Sequence, residues 1–314
     1  MDVMSSVLSF SLEMLTLYGI ALLGFILRKT GILNNNANEV LTQLILYVTL
    51  PALILVSLDI PFSNSLVKEF IWLTVMSVFI LTFSCSLAAW MRKHAKLRED
   101  QKSVYEGLII FGNQGYIGYA ISYILLGEQG ILYLTIFNTC YLILIWTYGI
   151  YLFSKNKETI KWRKIFFNPG ILSTLTGLIL LLSPLSWPEV VFKGLDSIGK
   201  MTIPLSMILI GCLIANVSYK DFFLSLKNPY LWTSALAKLI FIPLFLLPFA
   251  AFSVPYPVLV IAVIVSGMPS APTISLYSQK FGADTFFASM GTLLTTLLCV
   301  LTVPLLYFLC KLFY

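Results

Sequence analysis

Phe111-Gly112-Asn113-Gln114-Gly115-Tyr116-Ile117-Gly118-Tyr119-Ala120 occupies the middle of an apolar stretch that runs over 103–126. Its length and apolarity make that stretch a bilayer-spanning helix. Three glycines and an amide at its centre weaken the helix there. In hydrocarbon an unwound backbone must face protein or a water-filled cavity, because free N–H and C=O groups cannot be left unpaired. A break also creates a new helix N-terminus, whose N–H groups and dipole favour an anion. A second stretch has the same character. Gly267-Met268-Pro269-Ser270-Ala271-Pro272-Thr273 interrupts the apolar segment 256–279. Its prolines lack N–H donors and clash with the preceding turn, which frees carbonyls. Ser266, Ser270 and Thr273 can hydrogen-bond locally. At 1.5 Å per residue both interruptions lie roughly 12–20 Å into their segments, near the centre of a ~30 Å core. Either one alone could be close helix packing through small residues. The pair together points to a binding site.

Eight further segments flank these two. The ten read as 7–27, 38–58, 67–91, 103–126, 130–153, 168–186, 194–216, 229–251, 256–279 and 285–312. The connections are too short to fold as soluble domains, and the N-terminal segment lacks the basic start and small-residue cleavage site of a signal peptide. Composition agrees: 59% of the 314 residues are hydrophobic, 11% are charged, and the mean hydropathy is +0.91. A soluble domain carries about 25% charged residues, so a soluble enzyme, a nucleic-acid binder and a disordered chain are all poor readings. The net charge of +6 is a topology signal rather than a nucleic-acid footprint. The five cysteines lie in apolar stretches without metal-ligand spacing, and His94 is the only histidine. No metal, cofactor or enzymatic chemistry is expected from this set, and no phosphate-binding Gly–Lys loop supports direct ATP drive.

Fifteen of the twenty Lys and Arg residues fall in loops on one side of the membrane, including Arg92, Lys93, Lys96, Arg98 and Lys102, and Lys155, Lys157, Lys161, Arg163 and Lys164. Lys68, Lys193 and Lys311 fall on the other. The positive-inside rule then puts both termini outside and the loop 154–167 in the cytoplasm. Ten segments divide into two sets of five, 1–153 and 168–314 joined by 154–167, and an odd number per half inverts the second half. Two pairs of marks support the repeat. Thr49-Leu50-Pro51 and Thr202-Ile203-Pro204 are offset by 153 residues, and the interruptions at Asn113 and Pro269 by 156. That is the pattern of an inverted-repeat secondary transporter.

Gly112-Asn113-Gln114-Gly115-Tyr116-Ile117-Gly118 resembles the first broken-helix signature of the auxin efflux carrier family, in its bacterial malate-permease-like branch. Met268-Pro269-Ser270-Ala271 with Phe281-Gly282-Ala283-Asp284 is similar to that family's second broken helix and its exit. Asn168-Pro169, and Ile203-Pro204-Leu205-Ser206 with Gly211, also match. The resemblance spans the chain, with one departure: Ala120 stands where the family pattern has proline. It implies an all-α membrane fold of ten helices in two inverted five-helix repeats, related in fold to sodium–bile acid symporters, with broken helices four and nine crossing at mid-membrane. It also implies a scaffold of segments one, two, six and seven, and a core of segments three to five and eight to ten that moves like an elevator. The implied activity is efflux or exchange of small organic anions such as carboxylates, at the cell membrane.

The expected substrate contacts are Gly112, Asn113, Gln114, Gly115, Pro269, Ser270, Ala271, Pro272 and Thr273, with Lys238 as a buried cation that neutralises an anion or forms a structural pair. Glu13 and Glu106 are candidate proton carriers, and Pro51, Pro204 and Gly118 candidate helix hinges. Lys200 and Asp196, four residues apart, read as an ordinary intrahelical pair. Protons or sodium are candidate coupling ions, lipid is an expected partner, and a homodimer is a candidate assembly. Two other classes stay open: an anion channel, which would show unsaturable flux, and a membrane receptor without transport, which would not need Asn113.

Overall fold

The computed structural model describes residues 3–34, 36–61, 63–154, 167–183 and 185–314. The basic linker residues Lys155, Lys157, Lys161, Arg163 and Lys164 lie outside the described residues. The described residues are mostly helical. In chain order the elements are α1 (Val3–Lys29), α2 (Ala37–Ser57), α3 (Asn64–His94), α4 (Glu99–Ile110), α5 (Tyr119–Leu126), α6 (Glu128–Phe153) and α7 (Pro169–Leu182). There follow α8 (Glu189–Ala215), α9 (Tyr219–Ser225), α10 (Pro229–Phe252), α11 (Tyr256–Ser266), α12 (Thr273–Phe281) and α13 (Thr285–Phe313).

Among the described residues, seven helices are long and apolar enough to cross a membrane: α2, α3, α6, α8, α10, α13 and Val7–Lys29 within α1. The chain is therefore a multi-pass membrane protein. The remaining expected segments have helical counterparts of another kind. Segment six is the 14-residue apolar helix α7, and segments four and nine are interrupted helices, α4 with α5 and α11 with α12.

Local sequence explains where helices start and bend. Asn168 and Asn228 each accept from the first-turn N–H groups, followed by a proline whose missing donor is not needed there. Asp284 caps α13 by accepting from the Phe287 N–H at 2.8 Å. Pro51 and Pro243 each follow a widened π-turn, Ile45–Thr49 and Ala237–Phe241. A proline cannot donate to the carbonyl four residues back and crowds it, and a wider turn accommodates both problems. In α8 the break comes at Met201, and the donor missing at Pro204 is the one that would have reached the Lys200 carbonyl. Gly127, with φ +59°, makes the sharp turn from α5 to α6.

Outward faces of α1 carry Leu8, Leu12, Leu15, Leu22 and Leu23, all exposed, as lipid contact requires. The deepest element is α11, where Val258 to Val265 are at most 1% exposed. Lipid tails are as apolar as leucine, so helix association rests on close packing. Glycines supply it. A Cβ at Gly211 would lie 1.9 Å from the Ala21 carbonyl oxygen, and one at Gly24 would lie 2.3 Å from that of Ile208. The backbones of α1 and α8 thus touch. Gly199 meets the Leu53 backbone and Gly177 the Leu58 side chain, joining α8 and α7 to α2. Between α1 or α8 and the broken-helix region the meeting is side chain on side chain: Met14, Leu17, Met207 and Ile210 face Ile117 and Ile121 across a small apolar gap.

Candidate substrate site at the crossing of two broken helices

The first helix ends at Ile110, and Phe111 is extended at φ −92°, ψ 115°. Asn113 sits at φ −79°, ψ 61°, and a π-turn over Gln114–Gly118 leads into α5. No proline is needed for this break; the tertiary partner supplies the reason. Gly112 and Ser270 form an isolated antiparallel bridge. The Asn113 N–H donates to the Pro269 carbonyl at 2.6 Å, and the Ala271 N–H to the Phe111 carbonyl at 2.9 Å. Each break therefore satisfies the other's backbone.

Four carbonyls around the first break have donors. Leu108 accepts from Ser270 Oγ at 2.7 Å, Ile110 from Lys238 Nζ at 3.2 Å, Gly112 from Tyr141 Oη at 2.7 Å and Asn113 from the Gly118 N–H at 3.1 Å. Ser270 N–H donates to Thr295 Oγ1 at 3.0 Å. This accounting is what low-dielectric surroundings demand of an irregular backbone.

A cavity of about 180 Å³ opens on one side of the crossing. Gly112, Asn113 and Gly115 line it from the first break, and Ala271, Pro272 and Thr273 from the second. Leu46, Leu50 and Ile54 of α2, with Pro169 and Gly170 at the start of α7, close the far wall. The cavity thus lies against the N-terminal ends of the π-turn leading into α5 and of α12, where unpaired N–H groups and the helix dipole favour negative charge. Asn113 is 3% exposed and caps no N–H with its side chain, so its amide is available to a ligand.

Six of the expected contacts share the cavity, and four do not line it. Pro269 gives its carbonyl to Asn113, and Ser270 spends its hydroxyl on Leu108. Gln114 is buried with Oε1 unpartnered. Lys238, 2% exposed, lies behind Gly112: a Cβ there would be 3.1 Å from both Lys238 Cε and Nζ. The lysine caps the C-terminal end of α4, where a cation is favoured by the dipole. Of the three expected hinges, Pro51 follows its π-turn, Pro204 follows the Met201 break, and Gly118 closes the π-turn of the first break.

The candidate proton carriers stand elsewhere. Glu106 is fully buried, bonded to Tyr148 Oη at 2.5 Å and paired with Arg92 at 2.9 Å. Glu13 lies on the exposed face of α1. Neither lines the cavity. Lys200 pairs with Asp196 at 2.6 Å. At the far ends of the two broken helices, Asp284 accepts from Arg98 and Gln101, and its own N–H donates to the Asp100 carbonyl. That clamp joins the entry of α4 to the exit of α12.

Sequence reasoning missed the aromatic and amide walls. Tyr47, Tyr116, Tyr119, Tyr141, Trp146 and Tyr277 line the cavity, as does Asn138 from α6. A buried amide in the middle of an apolar segment was visible for Asn138 as it was for Asn113. The aromatic residues carried no such signal, since they look the same at a lipid belt as at a site.

A helical multi-pass membrane protein with two broken helices crossing over a central cavity belongs to the transporter class of architectures. The sequence matches the family described as "Membrane transport protein" over residues 9–162 and 158–307. The chain belongs to that family, the auxin efflux carrier family. It is also similar to a protein of Methanocaldococcus jannaschii named "Uncharacterized transporter MJ1031", with 24% identity over 201 residues, 61% of this chain and 65% of that protein. The match spans just under two thirds of the relative's length.

Proposed function

We propose that this transporter carries a small organic anion, most simply a carboxylate, through the cavity at the crossing. The observation that carries the proposal is the cavity itself. It is lined jointly by the open amide of Asn113 and by Ala271, Pro272 and Thr273 at a second helix N-terminus. Asn113 can donate to a carboxylate oxygen, and the two N-terminal ends favour its charge. Lys238, one backbone thickness away, adds positive potential without touching the ligand. A volume near 180 Å³ suits a small acid and is below the range of drug-sized pockets.

The reading includes ten crossings, with α4–α5 and α11–α12 as the broken ones, arranged as inverted halves 1–153 and 168–314. Segments one, two, six and seven form the scaffold; the others form a core that slides as an elevator. Two features support the motion. Glycine contacts lock α1 to α8 and α2 to α7 and α8, while the gap against Ile117 and Ile121 is lined by side chains such as Met14, Leu17, Met207 and Ile210, with the Tyr18 hydroxyl turned to Cys299 of α13. The Asp284 clamp makes the two broken helices one body. The paired breaks favour alternating access over a channel. Both termini lie outside the cell membrane in this reading; reporter fusions at Lys161 and Tyr314 check it, and a cytoplasmic Tyr314 refutes the inverted repeat.

The test is Asn113→Leu in proteoliposomes. The variant keeps bulk and loses both hydrogen-bonding roles. Carboxylate-dependent, counter-substrate-stimulated flux is expected to vanish while insertion is intact. Wild-type flux from this variant sinks the site.

A further inference from the structure

We infer that Glu106, acting through Tyr148, holds one wall of the cavity in its binding shape, so that this buried carboxylate is a positioning residue for a substrate it never touches. The inference rests on the transport site read above and adds what keeps that wall in place. Helix α6 contains a π-turn at Ile145–Gly149. The π-turns of α2 and α10 each precede a proline, and the one in the first break follows Gly112 and Asn113. The turn in α6 has no proline behind it: the helix runs on through Ile150, Tyr151, Leu152 and Phe153. Thr147 bonds back to the Ile143 carbonyl, but Thr74 and Thr82 make the same bond inside the unbroken α3. A π-turn without a local cause is a common mark of a functional position.

Three tertiary contacts sustain this one. Tyr148 Oη donates to Glu106 Oε1 of α4 at 2.5 Å. The Ile145 carbonyl accepts from Tyr277 Oη of α12 at 3.2 Å. Gly149 closes the turn against the crossing: a Cβ there would lie 3.3 Å from both the Phe111 and the Tyr277 rings. Ile145 and Trp146 of the same turn line the cavity. Tyr148, two residues on from Trp146, stands on the nearly opposite face of the helix. Glu106 therefore grips the back of the turn whose front is the cavity wall. The carboxylate can do so because it is itself fixed: its side chain is fully buried, and its other oxygen pairs with Arg92 of α3 at 2.9 Å. Its bond to Tyr148 is charge-assisted, the stronger kind. A π-turn carries one extra residue, and moving that residue along the helix turns the side chains it passes by about 100°. Glu106 and Tyr148 fix where the extra residue sits, and so which way Ile145 and Trp146 point.

The experiment uses the purified full chain carrying 5-fluorotryptophan, with malate, succinate, lactate and propionate as binding probes. Trp146→Phe assigns the Trp146 fluorine resonance. Tyr148→Phe removes the hydroxyl and keeps the ring, Glu106→Leu removes the acceptor, and Glu106→Gln keeps an acceptor for the hydroxyl. Tyr148→Phe and Glu106→Leu are expected to shift the Trp146 resonance of the ligand-free protein. Both are expected to weaken the acid that the wild type binds by about tenfold, the lower end of what a hydrogen bond to a charged group is worth. Glu106→Gln is expected to leave the resonance near its wild-type position and the affinity within about threefold. A lower melting temperature in Tyr148→Phe and Glu106→Leu, with resonance and affinity unchanged, overturns the inference while the carboxylate reading stands. Equal losses of affinity in Glu106→Gln and Glu106→Leu overturn it too, because the charge and not the tether then matters. If none of the four acids binds the wild type, the carboxylate reading falls and the Trp146 resonance decides: a shift in Tyr148→Phe and Glu106→Leu supports the inference, and an unmoved resonance overturns it.

Discussion

Replacing Lys238 by methionine separates a structural cation from one that serves the ligand. Lys238 is 2% exposed, and its ammonium donates to the Ile110 carbonyl at 3.2 Å. A Cβ on Gly112 would lie 3.1 Å from Nζ, and the opposite side of Gly112 lines the cavity. A carboxylate seated against Gly112 is then roughly 7 Å from the ammonium, and at an effective dielectric of about 20 the attraction is about 2 kcal/mol. That corresponds to on the order of thirtyfold in affinity. Methionine matches the stem in length, removes a desolvated charge and leaves the Ile110 carbonyl without its donor, two changes of opposite sign for the fold. Lys238→Met is therefore expected to weaken binding of an anionic probe by about thirtyfold while the melting temperature of the ligand-free protein changes little. Lys238→Arg keeps the charge and is expected to retain most of the affinity. The assay is calorimetric binding of whichever of malate, succinate, lactate and propionate the wild type binds, with thermal unfolding in the same detergent. Unchanged affinity in Lys238→Met with a lower melting temperature refutes the reasoning and leaves Lys238 a cap of α4 alone.

Ser270→Ala removes one buried hydroxyl from the Leu108 carbonyl and is expected to cost about 1 kcal/mol of stability, with substrate affinity within about twofold, because the hydroxyl does not line the cavity. A loss of affinity without a loss of stability counts against that placement. Glu106→Gln removes the buried charge that pairs with Arg92, whose side chain is 40% exposed, and is expected to lower stability by no more than about 1 kcal/mol, read as a small fall in melting temperature. If Glu106→Gln instead keeps stability and abolishes a proton-driven flux, the residue is a proton carrier after all. Gly211→Leu drives a side chain into the Ala21 backbone, which cannot move aside, and is expected to reduce the folded yield severely; a wild-type yield refutes the backbone contact between α1 and α8.

The helical segments were legible in the sequence because a bilayer leaves few options. Backbone groups in hydrocarbon must pair internally, so long apolar stretches become helices, and glycine or proline at their centres marks the exceptions. The breaks at Asn113 and Pro269 were readable for that reason, as were the Asn168-Pro169 helix start and the Lys200–Asp196 pair. What those breaks would face was not readable. The Gly112–Ser270 bridge joins residues 158 positions apart in sequence, and only folding decides that the Asn113 N–H meets the Pro269 carbonyl rather than a ligand or a water. The same holds for side chains of identical type. Ser270 and Thr273 look equivalent in sequence, yet one spends its hydroxyl on Leu108 and the other lines the cavity. Lys238 and Glu106 were conspicuous as charges in apolar surroundings, because desolvation makes such residues rare. Their partners, the Ile110 carbonyl and Arg92 with Tyr148, come from other helices whose rotation about their own axes no local pattern specifies. Periodicity and composition determine that a segment crosses the membrane and where it fails to remain a helix. Packing against neighbours determines which face of it turns inward, and so which of its polar groups are consumed by the fold and which are left for a substrate.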